Sequence, residues 1–480
     1  MNVLLINAPT KYGAVTTSDW DTTAEDIGAF PPIGLSYIAG YLVANTDHNV
    51  EILDTLALRL GYAEIEAELA RRKPRVVGIT SFTPTFYDVL LVAKLVKKHH
   101  PECLVVLGGS HVSTFPRESL SHPEIDVLVH GEGEIIFANL LDALEKGEDV
   151  SRVSGISYKD ESGLPVSIGE PGYIKDINEL PPPAFSLLPL KKYNSAIGTG
   201  QVTGIIASSR GCPYSCTYCN RPYRTYRQYT TDRIISELRE HYRLGTREFM
   251  FFDDMFNIKP ARVIEISRRI KKEFPDITWS FRGRVDQVSE EMIREAKESG
   301  CKQILFGVEA ATDEDLKAIK KKITTRQVMD AIKLARKYDI ETSTNWIIGL
   351  PTHRSREDVL HLVNFAKKTG ADFAQFNILI PYIETPIFQD GLRRGILPEH
   401  FWSDYVKNPI PNASIPIWEE HLTRQELSEL LKICYRRFYF TPKRIFQQVL
   451  AVRSWSQFMT RVRGAMTILG FGGVKKRKAA

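Results

Sequence analysis

Two successive runs of short apolar segments alternating with amphipathic ones limit this chain more than any other feature. In residues 1–148, segments 3–7, 50–53, 76–80, 104–107 and 127–130 have the length and β-branched content of buried strands, and stretches 34–43, 63–71, 87–98 and 134–144 between them carry helical periodicity. Strand and helix in strict turn predict a parallel sheet with helices on both faces, a Rossmann-like (flavodoxin-like) α/β domain. Such sheets bind ligands beyond the carboxyl ends of their strands, so the segments leaving the strands are the ones to inspect. They include Thr80, Ser81, Gly108, Gly109, His111, Gly131 and Glu132, in the runs TSFTPT, LGGSHVST and HGEGE. Small residues dominate there, and the glycines allow a flat ligand to approach the backbone closely. For His111 and His130 the competing expectation is a hydrogen bond that steadies a turn.

A second alternation places strands at 202–208, 248–252, 278–282, 303–307, 342–348 and 373–379, with helices near 233–242, 261–272, 290–299, 325–338 and 357–368. Six strands fit an open barrel whose active groups lie on the loops after the strands. The first of these loops reads SSRGCPYSCTYCNRP and sets Cys212, Cys216 and Cys219 in a C-x3-C-x2-C spacing. Three soft thiolates on one short loop can clasp one face of an iron-sulfur cluster. With no fourth cysteine nearby, one iron of a 4Fe-4S cluster would stay open to another ligand. A zinc knuckle needs a fourth protein ligand, and no His or Cys follows at finger-like spacing. Three unrelated thiols are the remaining alternative.

Composition sets bounds on the rest. A chain of 480 residues, 43% hydrophobic and 25% charged, is long enough for two or three ordinary globular domains. A net charge of +5 is small for this length, so nothing demands a nucleic-acid partner. Cys103, Cys301 and Cys434 lie among apolar neighbours and read as buried, inert thiols. The N-terminus is a short apolar strand rather than a signal sequence, and no uncharged apolar run approaches the ~20 residues of a membrane-spanning helix. These features point to a cytoplasmic protein under reducing conditions. Residues 149–200, with one hairpin and the prolines 181–183, read as a linker between the first domain and a barrel spanning 201–395.

On its cysteine loop and the order of its strand ends, the chain resembles the radical S-adenosylmethionine (SAM) superfamily, whose motif lies after the first strand of a partial (β/α)6 TIM-type barrel. The resemblance implies a 4Fe-4S cluster whose open iron is chelated by SAM, and cleavage of SAM to a 5'-deoxyadenosyl radical by one electron from a flavodoxin- or ferredoxin-type reductant. It also suggests site residues. Asp253 and Asp254 end the second barrel strand, where the family holds the methionyl amine, often with a G-G-E run; this chain has FDDMF. A carboxylate suits that cationic partner, although Asp is also a good helix N-cap. Arg282 and Arg284, two apart on a strand and so expected on one side, are candidates for the SAM carboxylate. Glu309 matches the position that meets the ribose, Tyr218 the aromatic beside adenine, and Gly349 a place where the fifth strand approaches that ring.

The first domain resembles the cobalamin-binding domain that precedes the barrel in one radical-SAM subgroup, by strand spacing and by its GGSH and HGEGE turns. It lacks the D-x-H-x-x-G loop of cobalamin mutases, so cobalamin is expected without a histidine from that motif, its lower face met by residues 80–85 or by water. Residues 396–480 read as a helical region, with helices near 423–438 and 442–452, an apolar stripe from Trp455 to Leu469 and a KKRK tail. Such an end can lie on an anionic membrane or pack over the barrel mouth. The run RRFYFTPKRIF resembles the subgroup of the oxygen-independent magnesium-protoporphyrin monomethyl ester cyclase and the hopanoid methylases. That resemblance implies a lipid or tetrapyrrole substrate, methylated at an unactivated carbon or, in the alternative, oxidatively cyclised. A different expectation is a vestigial first domain on an enzyme acting on RNA or a peptide.

Overall fold

The computed structural model describes residues 1–16, 30–193, 203–221 and 223–442. The apolar stripe and basic tail beyond 442 lie outside them. The described residues form two compact units, one from residues 1–15, 30–193 and 399–415, the other from residues 16, 203–221, 223–398 and 416–442.

In the first unit, β1 (Asn2–Asn7), β2 (Asn49–Asp54), β3 (Val76–Thr80), β4 (Leu104–Gly108) and β5 (Val127–Val129) pair in parallel in the order β2-β1-β3-β4-β5. Their near-continuous burial, as in Val3 to Ile6, reflects helices on both faces. Ile33–Asn45 and Gly133–Lys146 pack together over one face, closing a core of Leu35, Ala39, Leu42, Phe137 and Leu140 against Val3, Leu5 and Val106. The pair Tyr62–Arg72 and Phe86–His99 packs separately. This strand order reverses between β1 and β3, which makes the loops leaving those two strands the walls of a ligand crevice.

The supposed linker departs from expectation. Its hairpin exists as β6 (Ile156–Lys159) and β7 (Pro165–Ile168), but β6 pairs antiparallel with β5 and extends the sheet to seven strands. Tyr193 is buried and donates its hydroxyl to Asp54 at the end of β2. Apolar positions such as Ile156, Ile177 and Phe185 are fully buried, so this stretch is domain rather than connector. Equally, residues 399–415 of the expected C-terminal helical region pack within the first unit.

In the second unit, β8 (Thr203–Ile206), β11 (Glu248–Phe251), β12 (Thr278–Gly283), β13 (Cys301–Glu309), β14 (Glu341–Ile348) and β15 (Phe373–Ile378) pair in parallel in sequential order, as in an unclosed β/α barrel. Helices Thr231–Arg243, Pro260–Glu273, Glu290–Glu298, Thr325–Lys337 and Arg356–Thr369 fill the crossovers. An open edge would leave backbone groups of β15 unpaired. The helix Arg424–Tyr439, started by a Thr423–Glu426 capping box, covers that edge. Tyr439 Oη accepts from Ala374 N at 3.0 Å and donates to Ala374 O at 2.9 Å, and Tyr435 Oη does the same for Phe376 at 3.2 and 3.1 Å. Tyrosines one helical turn apart thus meet residues two apart on the strand.

No described helix is long and apolar enough to cross a membrane. The double variant Tyr435→Phe/Tyr439→Phe is expected to lose about 2–4 kcal/mol of unfolding free energy in a denaturant titration, because each change strands a buried edge N–H and C=O. A loss below the error of the titration would show that the tyrosines only pack.

Candidate functional site

The cysteine loop has almost no regular structure of its own, and its shape is imposed from outside. It leaves β8 through β9 (Ser209–Arg210), which pairs antiparallel with β10 (Arg227–Gln228) and closes the excursion at its base. Gly211 adopts φ +83°, and a Cβ there would sit 2.3 Å from Thr225 O, so only glycine fits the turn before Cys212. Cys212 N donates to Tyr223 O, Thr217 N to Ile319 O, and Ile387 N to Thr217 O. The loop is therefore tied to backbone that follows β13 and β15.

Its thiols are free, with Cys216 buried, Cys212 half-buried and Cys219 exposed. Burial raises the Cys212 thiol above its usual range, and the neighbouring Cys216 adds to that effect. Among the described residues no group of three His, Cys, Asp or Glu side chains is arranged to grip one metal ion. A cluster bound through one cysteine per iron asks for something else: soft thiols around a shared, poorly hydrated space. The loop supplies that donor set.

Two of the predicted carboxylates separate sharply. Asp253 is 1% exposed and accepts from Ser208 N at 2.7 Å and from the hydroxyls of Ser208 and Ser209. Burial holds its carboxyl above the usual range against those bonds and the nearby Arg262, whose guanidinium donates to Ser208 Oγ, Ser208 O and Tyr229 O. Asp253 thus locks the end of β11 to the root of the cysteine loop, and it is not presented to a ligand. Asp254 is exposed beside that loop, raised by partial burial and opposed by Arg282 and Arg221.

The two arginines also part. Arg282, one residue before the end of β12, has its guanidinium 4.1 Å from the Phe252 ring centre and close enough to Asp254 to feel its charge. Arg284, past the end of the strand, turns inward instead. It is 1% exposed, pairs with Asp286 at 2.8 Å, donates to Lys321 O and lies 3.8 Å over Tyr214 of the cysteine loop. The strand ends at Gly283, so the expected shared side is lost.

Glu309 sits at a register shift of β13 with φ +76°, a strained backbone of the kind that clusters at functional sites. Its carboxylate accepts from Lys321 Nζ at 3.0 Å, and Lys321 also donates to Tyr218 Oη at 3.2 Å. Burial, then Glu309, drives the Tyr218 hydroxyl well above its usual range. Gly349 has φ +75°, and a Cβ there would meet the Leu427 side chain at 3.0 Å, so on that side the glycine makes room for the helix Arg424–Tyr439.

Sequence reading missed Arg262, Tyr214 and Lys321. Lys321 stands in a KKK run that looks like solvated charge, and only the positive φ of Lys320 and Lys322 on either side turns it inward.

In the first unit, Thr80, Ser81, Gly108 and Gly109 meet at the ends of β3 and β4. Ser81 donates its amide and its hydroxyl to Gly108 O, both at 2.8 Å. Gly109, at φ +101°, presses so close that a Cβ would lie 2.5 Å from Ser81 O, whereas a Cβ on Gly108 would meet nothing within 4 Å. The result is a low shelf at the ends of β3 and β4, followed in the chain by the exposed ring of Phe82. His111 is not on that shelf. It is fully buried, its ring nitrogens 3.0 Å from the hydroxyls of Thr83 and Ser119. His130 bonds Ser157, Gly131 abuts Gly172, and Glu132 accepts from Ile174 N, so these three brace a turn.

With this geometry in place, residues 206–366 match the radical SAM superfamily and residues 22–141 the B12 binding domain. The chain is 35% identical to an uncharacterized methyltransferase of Pyrococcus horikoshii over 87% of this chain and 90% of the relative. It is 27% identical to the anaerobic magnesium-protoporphyrin IX monomethyl ester cyclase of Rubrivivax gelatinosus, over 87% and 75%. The fold matches a radical SAM methyltransferase of Kitasatospora setae solved with cobalamin and a [4Fe-4S] cluster, with TM-score 0.65, 19% identity and coverage of 82% and 75%.

Two outcomes test these placements. Burial lowers the His111 pKa from 6.5 to about 3, so the neutral ring stabilises the fold above pH 6.5 and that stability is lost as pH falls towards 3. The unfolding free energy should drop by about 1.4 kcal/mol per pH unit below 6.5 on this account, and His111→Gln should remove that component. Lys321→Met leaves the Glu309 carboxylate buried and unpaired and should cost about 3 kcal/mol, part of it recovered in Lys321→Met/Glu309→Gln. Equal losses in the single and double variants would mean that the pair is not coupled.

Proposed function

The chain belongs to the cobalamin-dependent radical SAM methyltransferases, and from that premise we propose that its substrate is an apolar, lipid-like or tetrapyrrole small molecule, methylated at an unactivated carbon. When bound, the cluster with SAM supplies a hydrogen-abstracting radical and cobalamin supplies the methyl group. The chain's own residues bind and orient. Cys212, Cys216 and Cys219 would hold three irons of a 4Fe-4S cluster, in a loop fixed by Asp253, Arg262 and Arg284. Asp254 and Arg282, adjacent and opposite in charge, suit the amino and carboxylate groups of SAM. Glu309, held by Lys321 beside Tyr218, suits a pair of ribose hydroxyls. Thr80, Gly108 and Gly109 give the corrin a floor without side-chain relief.

The observation that carries the reading is one chain that combines an externally pinned three-cysteine loop after the first strand of a six-stranded parallel sheet with a low glycine shelf on a β2-β1-β3-β4-β5 sheet. The apolar substrate class draws on the tetrapyrrole named in the Rubrivivax relative, and the same relative favours a second reading, oxidative ring closure. A flavodoxin- or ferredoxin-type protein would deliver the electron.

Incubation with methyl-deuterated SAM, reductant and a panel of lipids and tetrapyrroles separates the readings by mass spectrometry. Methylation predicts a product carrying the deuterated methyl group, together with 5'-deoxyadenosine, and no product from the Cys212→Ala/Cys216→Ala/Cys219→Ala variant. A product lacking the label would support ring closure and contradict methylation.

A further inference from the structure

The segment Glu399–Ile415 is separated from the rest of its unit by about two hundred residues of sequence, yet it packs on the loops that leave β1 and β3. Its helix Phe401–Lys407 buries Trp402, Tyr405 and Val406 and lies against the helix Pro116–Leu120, where His122 meets Val406 O at 2.7 Å. The Tyr405 hydroxyl reaches Pro84 O at 3.5 Å. The following turn is zipped to the β1 loop by backbone: Asn412 N donates to Tyr12 O at 2.9 Å, Val15 N to Ala413 O at 2.8 Å, and Ile415 N to Val15 O at 2.8 Å. Ala413 and Ile415 are buried there.

The two loops are joined independently. Ala14 N donates to Pro84 O, and Asp88 at the start of the helix Phe86–His99 accepts from Tyr12 N and from the Tyr62 hydroxyl, with Tyr12 stacked on Tyr62. The backbone bonds of residues 412–415 and the Tyr405 hydroxyl therefore act on the loops leaving β1 and β3, while the helix Phe401–Lys407 is seated on the helix Pro116–Leu120.

We infer that Glu399–Ile415 is a positioning strap for cobalamin: it holds the loops leaving β1 and β3 in the arrangement that receives the cofactor. The inference rests on the cobalamin reading above. The physical reason is preorganisation, since loops ordered before binding cost the ligand no ordering entropy. Without the strap, the Tyr12–Val15 stretch loses three backbone hydrogen bonds.

Asn412 has φ +55°, a conformation that proline cannot adopt and glycine adopts freely. Asn412→Pro also removes the amide that meets Tyr12 O. In the full-length protein, purified anaerobically and checked for native circular dichroism, Asn412→Pro should weaken cobalamin binding about tenfold or more, whereas Asn412→Gly should bind like the parent. Iron content should stay unchanged in both, and amide exchange at Val15 should accelerate in the proline variant alone. As a second perturbation, Tyr405→Ala should weaken cobalamin binding in the same direction without loss of iron. Faster exchange at Val15 with undiminished cobalamin affinity would overturn the strap. Absence of cobalamin binding in the parent protein would instead overturn the cobalamin reading on which the strap depends.

Discussion

The closure of the cysteine loop is the constraint on which the rest of the candidate site depends. The loop has no helix and no long strand pairing to define it, so its three thiols can share one space only if other elements fix its backbone. They do so at several points: the short β9–β10 ladder at its base, the Thr217 amide and carbonyl tied to residues 319 and 387, and the Asp253–Ser208–Arg262 network at its root. A buried carboxylate is costly unless fully hydrogen-bonded, and here that cost is met by three donors and a neighbouring guanidinium. Arg284 extends the same logic by stacking on Tyr214 within the loop. The charged residues that look most ligand-like in the sequence are thus partly scaffold, and the pair Asp254 and Arg282 stays exposed.

The architecture was largely legible because it rests on short-range patterns. Buried parallel strands announce themselves as apolar runs of five or so residues, and the strands at 76–80 and 342–348 fall within one residue of the observed limits. The cysteine spacing was likewise readable, because a ligand set on one short loop is local in sequence. What failed was orientation at strand ends. Arg282 and Arg284 were expected on one side by the two-residue period, but that period holds only inside a strand, and β12 stops at Gly283. The sequence also hides that Leu427, about eighty residues later, packs on the Cβ side of Gly349.

Long-range packing was the other thing the sequence withheld. Trp402, Tyr405 and Val406 have the composition of any C-terminal helix, and nothing local says that they are buried in the first unit, with Tyr405 at Pro84 and Val406 at His122. The hairpin β6–β7 reads correctly as a hairpin but not as a continuation of the sheet, because strand pairing depends on register with β5. Lys321 hides in a run of like charges. His111 shows the opposite case: a histidine in a ligand-like turn proves to be core, held between two hydroxyls with its ring tilted against Phe86.

The most direct test of the account is to quantify iron, sulfide and cobalamin in one anaerobically purified sample and then to assay SAM cleavage with dithionite. The account predicts about four irons and one cobalamin per chain with formation of 5'-deoxyadenosine. Iron and SAM cleavage without any cobalamin would contradict it, leaving the glycine shelf without its ligand and removing cobalamin-dependent methyl transfer.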